Sequence, residues 1–174
     1  MKGAPDPKIL SLDEAVAWRR RMAADGRKVV FTNGCFDLLH RGHVELFRAA
    51  RAEGDLLVVG LNGDDSMRRL KGPGRPLVPQ EDRAEVLAAL EPVDRIVVFD
   101  DDTPARLIAA LVPDVLVKGA DWAIDAIVGR ETVEKAGGRV VRVHLVEGRS
   151  TRALIAKILE RGAAAVRSTT EEDS

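Results

Sequence analysis

Residues 28–43, KVVFTNGCFDLLHRGH, run from a short apolar segment into two histidines with a glycine between them, and this stretch decides the fold class. Its start, Lys28 to Thr32, is rich in β-branched and aromatic residues and predicts a strand. A loop is predicted from Asn33, and a helix from Gly42 to Glu53. The next apolar run, Leu56 to Leu61, has no polar side chain, which is typical of a strand buried in a parallel sheet.

The alternation of strand and helix continues in both directions from this stretch. A capping box at Ser11 to Glu14 predicts an earlier helix that ends near Gly26. Later strands are predicted at 95–99, 115–118 and 139–144, and helices at 64–70, 80–90, 103–111, 129–136 and 150–161. Five strands alternating with helices predict one α/β domain, with a parallel sheet and helices on both faces. We expect this domain at 27–161, after an N-terminal segment and helix at 1–26 and before a disordered tail at 162–174.

The composition narrows the possible classes of function. The 174 residues are 45% hydrophobic and 32% charged, with a formal net charge of −1. This balance gives no reason to expect binding to nucleic acid or to an anionic membrane. Cys35 is the only cysteine, which excludes a disulfide framework and a cysteine-rich zinc site. Residues 1–10 lack the apolar core of a signal peptide, and no apolar run has the length of a membrane helix, so we expect a cytoplasmic protein.

The two histidines are the strongest candidates for chemistry. His40 and His43 are three residues apart at a predicted helix start, so both rings can face the same way. Gly42 lets a phosphate approach the backbone, and the free amides of a helix start favour an anion. The same pair is also compatible with plain surface residues or half of a metal site. Because the only other histidine is His144 and there is one cysteine, zinc is disfavoured and no protein metal site is expected. Neither a P-loop nor a GxGxxG element is present.

Two segments resemble motifs of a known family. Residues 36–43, FDLLHRGH, resemble the HxGH motif of the cytidylyltransferase-like nucleotidyltransferases. Residues 147–151, EGRST, are similar to the second motif of that superfamily, which ends in Ser-Thr at a helix start. Within the superfamily, the resemblance is strongest to the heptose 1-phosphate adenylyltransferases of ADP-heptose synthesis, through segments 32–37, 69–72, 75–76, 102–104, 117–121 and 147–151. Two alternatives remain open: a CTP-dependent cytidylyltransferase acting on glycerol 3-phosphate or a related alcohol phosphate, and a nucleotide-binding module without turnover.

The resemblance implies a Rossmann-like fold with five strands in the order 3-2-1-4-5, and it also implies a reaction and its participants. AMP would pass from ATP to a heptose 1-phosphate, giving ADP-heptose and pyrophosphate, with Mg²⁺ bridging the phosphates and no protein nucleophile. Relatives are commonly homodimers, and we expect one here. The catalytic residues would be His40, His43 and Lys71, with Lys71 folding over the phosphates from a flexible loop.

The resemblance also implies which residues surround the substrates. The residues expected to bind the nucleotide are Asn33, Gly34, Cys35, Phe36, Gly42, Lys118, Gly119, Asp121, Arg149, Ser150 and Thr151. Trp122 is either part of this border or simple packing. Arg75 and Arg83 are expected to face the substrate phosphate. For Arg83, an ion pair with a neighbouring Glu81 or Asp82 is an equal alternative.

Overall fold

The computed structural model describes residues 6–144 and 150–172, with side chains described up to residue 162. In chain order its elements are β1 (Ile9–Leu10), α1 (Leu12–Ala24), β2 (Val29–Gly34), α2 (Arg41–Arg51), β3 (Leu56–Asn62), α3 (Asp64–Lys71), α4 (Gln80–Ala88), β4 (Arg95–Phe99), α5 (Ala105–Leu111), β5 (Val115–Gly119), a 3₁₀ turn (Ile124–Ala126), α6 (Arg130–Lys135), β6 (Arg139–Val143) and α7 (Thr151–Glu172). The strands form one parallel sheet in the order β1-β4-β3-β2-β5-β6.

The predicted sheet order is confirmed for the five longer strands, because β4-β3-β2-β5-β6 corresponds to 3-2-1-4-5. The predicted count of five strands is wrong, since β1 adds a sixth at the edge. Ile9 and Leu10 pair with Ile96 and Val97 of β4. Two residues cannot display the alternation by which a strand is recognised, so the pattern gave no signal for β1.

The core lies on both faces of the sheet, as the apolar strands predict. Alternate residues of β2 and β3 point to opposite faces: Val30 and Val59 pack with α2 and α4, while Phe31 and Val58 pack with α1, α5 and α6. Each such side chain removed from water contributes about 1.5–3 kcal/mol. Because helices cover both faces of the sheet, the ends of the strands are the part of the sheet that stays open to a ligand.

Several element ends differ from the sequence prediction. β2 continues through Asn33 to Gly34, where a loop was expected. Lys71, expected in a flexible loop, is the last residue of α3, because no residue that disfavours a helix occurs before Gly72, which has a φ of 96°. α7 continues past Gly162 to Glu172, within the segment predicted to be disordered; the run at 163–165 is alanine, the strongest helix former. No helix in the described part of the chain is both long enough and apolar enough to cross a membrane.

Candidate active site

A cleft of about 610 Å³ opens where β2 and β5 end, next to the starts of α2 and α7. The chain leaves β2 towards β3 on one side and returns through β5 on the other, and parallel sheets bind ligands at such a switch point. The cleft brings together the predicted residues Asn33, Gly34, Cys35, Phe36, His40, Gly42, His43, Lys71, Arg75, Lys118, Gly119, Asp121, Ser150 and Thr151. Arg149 lies in residues 145–149, outside the described residues, so its predicted role stays a prediction.

The two histidines lie against each other at the start of α2. Their ring centroids are 3.8 Å apart and the rings are nearly parallel, at 21°. His40 is the residue before the helix, and its backbone N–H donates to Nδ1 of His43 over 3.4 Å. Because Nδ1 of His43 is an acceptor in this contact, the neutral ring carries its proton on Nε2.

The His43 ring is uncharged near neutral pH. Burial, and secondarily the neighbouring His40, lower the pKa of His43 from 6.5 to about 4. The Phe36 ring meets it edge to face at a centroid distance of 5.4 Å, which fixes its orientation. His43 is therefore a neutral Nε2–H donor beside the free amides of α2, an arrangement suited to a phosphate oxygen.

The turn between β2 and α2 has a strained backbone. Phe36 adopts a φ of 42°, which is uncommon for a residue other than glycine. Its ring folds back over Gly34, where a Cβ would lie 2.9 Å from the ring. Glycine at position 34 is therefore required by the placement of Phe36, which in turn holds His43.

A lysine also lines the cleft, at the end of β5. Nζ of Lys118 donates to the Asn33 carbonyl over 3.2 Å and lies 5.6 Å from the Trp122 ring centroid. Burial lowers the pKa of Lys118 to about 8, although Asp121 opposes the shift. At pH 7 this amine is still mostly charged, and it provides a cation near the end of the strand. Trp122 is 48% exposed and lines the cleft, so it is not core packing.

The thiol of Cys35 is not activated by its surroundings. Burial raises its pKa, and this outweighs the opposing effect of Lys71, Arg83 and Arg75. A thiol that stays protonated is a poor nucleophile, which agrees with a reaction that needs no covalent intermediate.

The predicted position of Arg83 is wrong. Its side chain is fully buried and does not line the cleft. It donates to the carbonyl oxygens of Val78 (2.9 Å), Cys35 (2.5 Å) and Asn62 (2.9 Å), and to the Asp64 carboxylate (2.7 Å). The alternative ion pair with Glu81 or Asp82 is also not formed. One sequence signal indicates this burial. Arg83 lies four residues before Leu87, and this spacing places it on the face of α4 that packs against the sheet.

The start of α7 closes the cleft near the histidines. The N–H of Ala153 donates to Oγ of Ser150, which acts as the N-cap. Oγ1 of Thr151 donates to the Leu38 carbonyl over 3.2 Å and so ties α7 to the loop before α2. The two motif segments, far apart in sequence, thus meet at one side of the cleft.

Further cleft residues were not assigned a role from the sequence. Asp102, Thr103 and Pro104 form the wall after β4, and Arg152 adds a cation at the start of α7. Nε of Arg69 donates to Asp102 over 2.6 Å and ties α3 to that wall. No spacing in the sequence predicts that these segments lie together, because only the folded sheet brings them to one cleft.

Comparison with known proteins gives a consistent result. A family model described as cytidylyltransferase-like matches residues 31–170. "Bifunctional protein HldE" of Geobacter sulfurreducens is 56% identical over 158 residues, which are 91% of this chain and 32% of that protein. The protein of the same name from Mesorhizobium japonicum is 61% identical over 142 residues, 82% of this chain and 28% of that protein. The chain thus spans about a third of the length of these relatives.

Solved structures agree on the fold. A lipopolysaccharide core biosynthesis protein from Thermoplasma volcanium superposes with a TM-score of 0.60 at 26% identity, covering 70% of this chain and 100% of that one. Pantoate-beta-alanine ligase from Francisella tularensis gives a TM-score of 0.58 at 13% identity, covering 82% of this chain and 68% of that one, and supports the fold alone. Since the family model spans both histidines and the start of α7, the chain belongs to the cytidylyltransferase-like family of nucleotidyltransferases.

Proposed function

We propose that the chain transfers AMP from ATP to a heptose 1-phosphate and releases pyrophosphate. The observation that carries the proposal is the stacked pair His40 and His43 at the start of α2, 3.8 Å apart in a cleft that also contains Lys71 and Lys118. Hydrogen-bond donors, helix amides and cations directed at one space favour a polyanion such as a triphosphate.

In this reaction an oxygen of the acceptor phosphate attacks the α-phosphorus in line, and pyrophosphate leaves. The protein needs only to position the reactants and stabilise the charge that develops. We assign the donation from Nε2 of His43 to an oxygen of the reacting phosphate, with His40 beside it. Lys71, at the exposed end of α3, would neutralise the departing pyrophosphate.

Mg²⁺ would supply charge neutralisation across the phosphates. Within the described residues there is no group of three or more His, Cys, Asp or Glu side chains arranged to hold a metal ion. Of the carboxylates that line the cleft, Asp37 is paired with Arg75 and Asp102 with Arg69, and Asp121 interacts with the charge of Lys118. This set fits an ion that enters with the triphosphate and is held by phosphate oxygens and water.

The choice of ATP and of a heptose acceptor rests on the resemblance of residues 32–37, 69–72 and 117–121. It is supported by the relatives named HldE and by the lipopolysaccharide core biosynthesis protein among the similar structures. The cations of Lys71 and Arg75 at one wall of the cleft add a physical constraint, because they favour an acceptor that carries a phosphate. A cytoplasmic location and a homodimer belong to the same proposal.

Pyrophosphate release tests the proposal directly. The protein is incubated with Mg²⁺, ATP or CTP, and heptose 1-phosphate, unphosphorylated heptose or glycerol 3-phosphate. We expect ATP with heptose 1-phosphate to be fastest and the unphosphorylated sugar to be inert. Faster turnover of CTP with glycerol 3-phosphate would reject the substrate assignment but not the family. Nucleotide binding without pyrophosphate release for any pair would indicate a binding module.

A further inference from the structure

The carboxylate of Asp37 lies in the loop before α2 and is 1% exposed. All its hydrogen bonds come from one short segment, residues 75–78. It accepts from Nε of Arg75 over 2.6 Å, from the backbone N–H of Leu77 over 3.0 Å and from that of Val78 over 2.9 Å. A buried carboxylate with three donors is a firm anchor, because moving the segment away would leave a charge buried without partners.

Arg75 is held by one edge of its guanidinium only. The contact with Asp37 uses Nε, and among the described residues the two terminal nitrogens of Arg75 have no hydrogen-bond partner. The side chain is 22% exposed and lines the cleft. A guanidinium fixed at Nε keeps its two terminal NH₂ groups in a set plane, which suits the oxygens of a phosphate.

Asp37 also connects Arg75 to the histidines: it bonds to Arg75 and lies in the same loop, three residues before His40 and directly after Phe36. The same residue therefore sets where Arg75 lies relative to the start of α2. In a transfer between two phosphates, the distance between the groups that hold each of them decides the rate.

We propose that Asp37 is a positioning residue that holds Arg75 over the cleft so that its terminal nitrogens bind the phosphate of the acceptor. The inference rests on the proposed function, because it needs a phosphorylated acceptor in this cleft. It adds an acceptor-specific role for a carboxylate that acts through its contact with Arg75.

The test compares Asp37→Asn, Arg75→Gln and the double variant, with KM measured for each substrate while the other is saturating. We expect both single variants to raise the KM for heptose 1-phosphate at least about tenfold and to change the KM for ATP less than about twofold. The double variant should add less than about threefold to either single one, because both remove the same interaction. Leu77→Ala is the matched control: its side chain is 52% exposed and only its backbone contacts Asp37, so both KM values should stay unchanged.

A purely structural role predicts a different result. It would lower kcat, or raise both KM values together, and either outcome in folded Asp37→Asn overturns the inference. If Asp37→Asn does not fold, Arg75→Lys decides, because a lysine ammonium keeps the charge but cannot both pair with Asp37 and present two terminal NH₂ groups to a phosphate. It should raise the acceptor KM nearly as much as Arg75→Gln, and a KM like that of the wild type would reject the inference.

Equilibrium binding of heptose 1-phosphate, measured by calorimetry in parallel, separates this inference from the proposed function. Wild type that binds the sugar phosphate about tenfold more tightly than Asp37→Asn but releases no pyrophosphate would refute the function and support the positioning role. Active wild type with equal binding by the variant would refute only the positioning role. Absence of both binding and turnover in the wild type would refute both.

Discussion

Replacement of His43 by alanine is the sharpest test of the proposed chemistry. Nδ1 of His43 accepts the His40 backbone N–H, so the ring offers one donor, Nε2–H, to a ligand. Loss of one donor aimed at a developing charge typically costs about 3 kcal/mol, or roughly a 150-fold fall in kcat. His40→Ala should have a similar effect. Because the rings are stacked 3.8 Å apart and act on one phosphate, the double variant should be much less than additive.

The pKa of His43 provides a second, independent test of this prediction. With a pKa of about 4, lowered by burial and by His40, the ring is neutral in the free enzyme above about pH 5. The ratio of kcat/KM between wild type and His43→Ala should therefore be constant from pH 5.5 to 7.5. A histidine that acted as a cation would instead lose its advantage as the pH rose through 6.5.

The assay is pyrophosphate release with Mg²⁺, ATP and heptose 1-phosphate, and circular dichroism establishes that each variant is folded. His144→Ala is the matched control, because it removes an exposed histidine that does not line the cleft. Turnover of folded His43→Ala within about threefold of wild type would refute the assigned role. A ratio that declined steadily across pH 6.5 would refute the neutral donor.

Three further predictions follow from particular contacts. The value of kcat/KM for ATP should fall as the pH rises through about 8, because Lys118 loses its charge there. Lys118→Met should be slower than wild type at pH 7 and should not show this fall. A wild-type profile that stays flat to pH 9.5 would contradict the assigned role of Lys118. Arg83→Met should lower the free energy of unfolding by roughly 3 kcal/mol in urea titrations, because it leaves Asp64 and three carbonyl groups without their donor. Arg48→Met, at an exposed site, should change that free energy by less than about 0.5 kcal/mol, and equal losses in the two variants would rule out the buried role. Lys71→Ala should strongly reduce kcat/KM. Limited proteolysis should cut the free protein at 72–74, between the end of α3 and the segment anchored by Asp37, and ATP with Mg²⁺ should suppress this cut. Equal cutting with and without ligand would argue against a closing loop.

The sheet was predictable because its physics is local. The apolar runs of β2 to β6 are each long enough to show their character, and their alternation with helices indicates a parallel sheet, whereas the strand order came with the family resemblance. β1 escaped prediction because two residues carry no period, and its pairing with β4 is decided by a neighbour 87 residues away, from Ile9 to Ile96. Helix ends were less predictable, as Lys71 demonstrates, since they depend on which residue first resists the helix.

The candidate site was predictable where the motif itself forms it. His40, Gly42 and His43 lie together because one helix start carries them, and Lys118 joins them through a rule about strand ends. The partners of buried charges were not predictable. Arg83 has four acceptors from three places in the chain: Cys35, the junction of β3 and α3 at 62–64, and Val78. Asp37 has its donors in residues 75–78, and no sequence spacing encodes either set.

These two buried charges explain how the turn at Phe36 holds its strained backbone. Arg83 donates to the carbonyl of Cys35, one residue before Phe36, and Asp37, one residue after it, accepts from residues 75–78. Segment 75–83 thus binds the turn on both sides of the residue whose φ is 42°. A residue in such a conformation costs about 1–3 kcal/mol and persists only when its surroundings leave it no alternative. Because the Phe36 ring in turn packs against His43, these backbone ties act on the catalytic geometry without contact with a substrate. Asparagine at position 37 keeps a carbonyl oxygen for the N–H groups of Leu77 and Val78, so Asp37→Asn preserves this tie and removes the contact with Arg75.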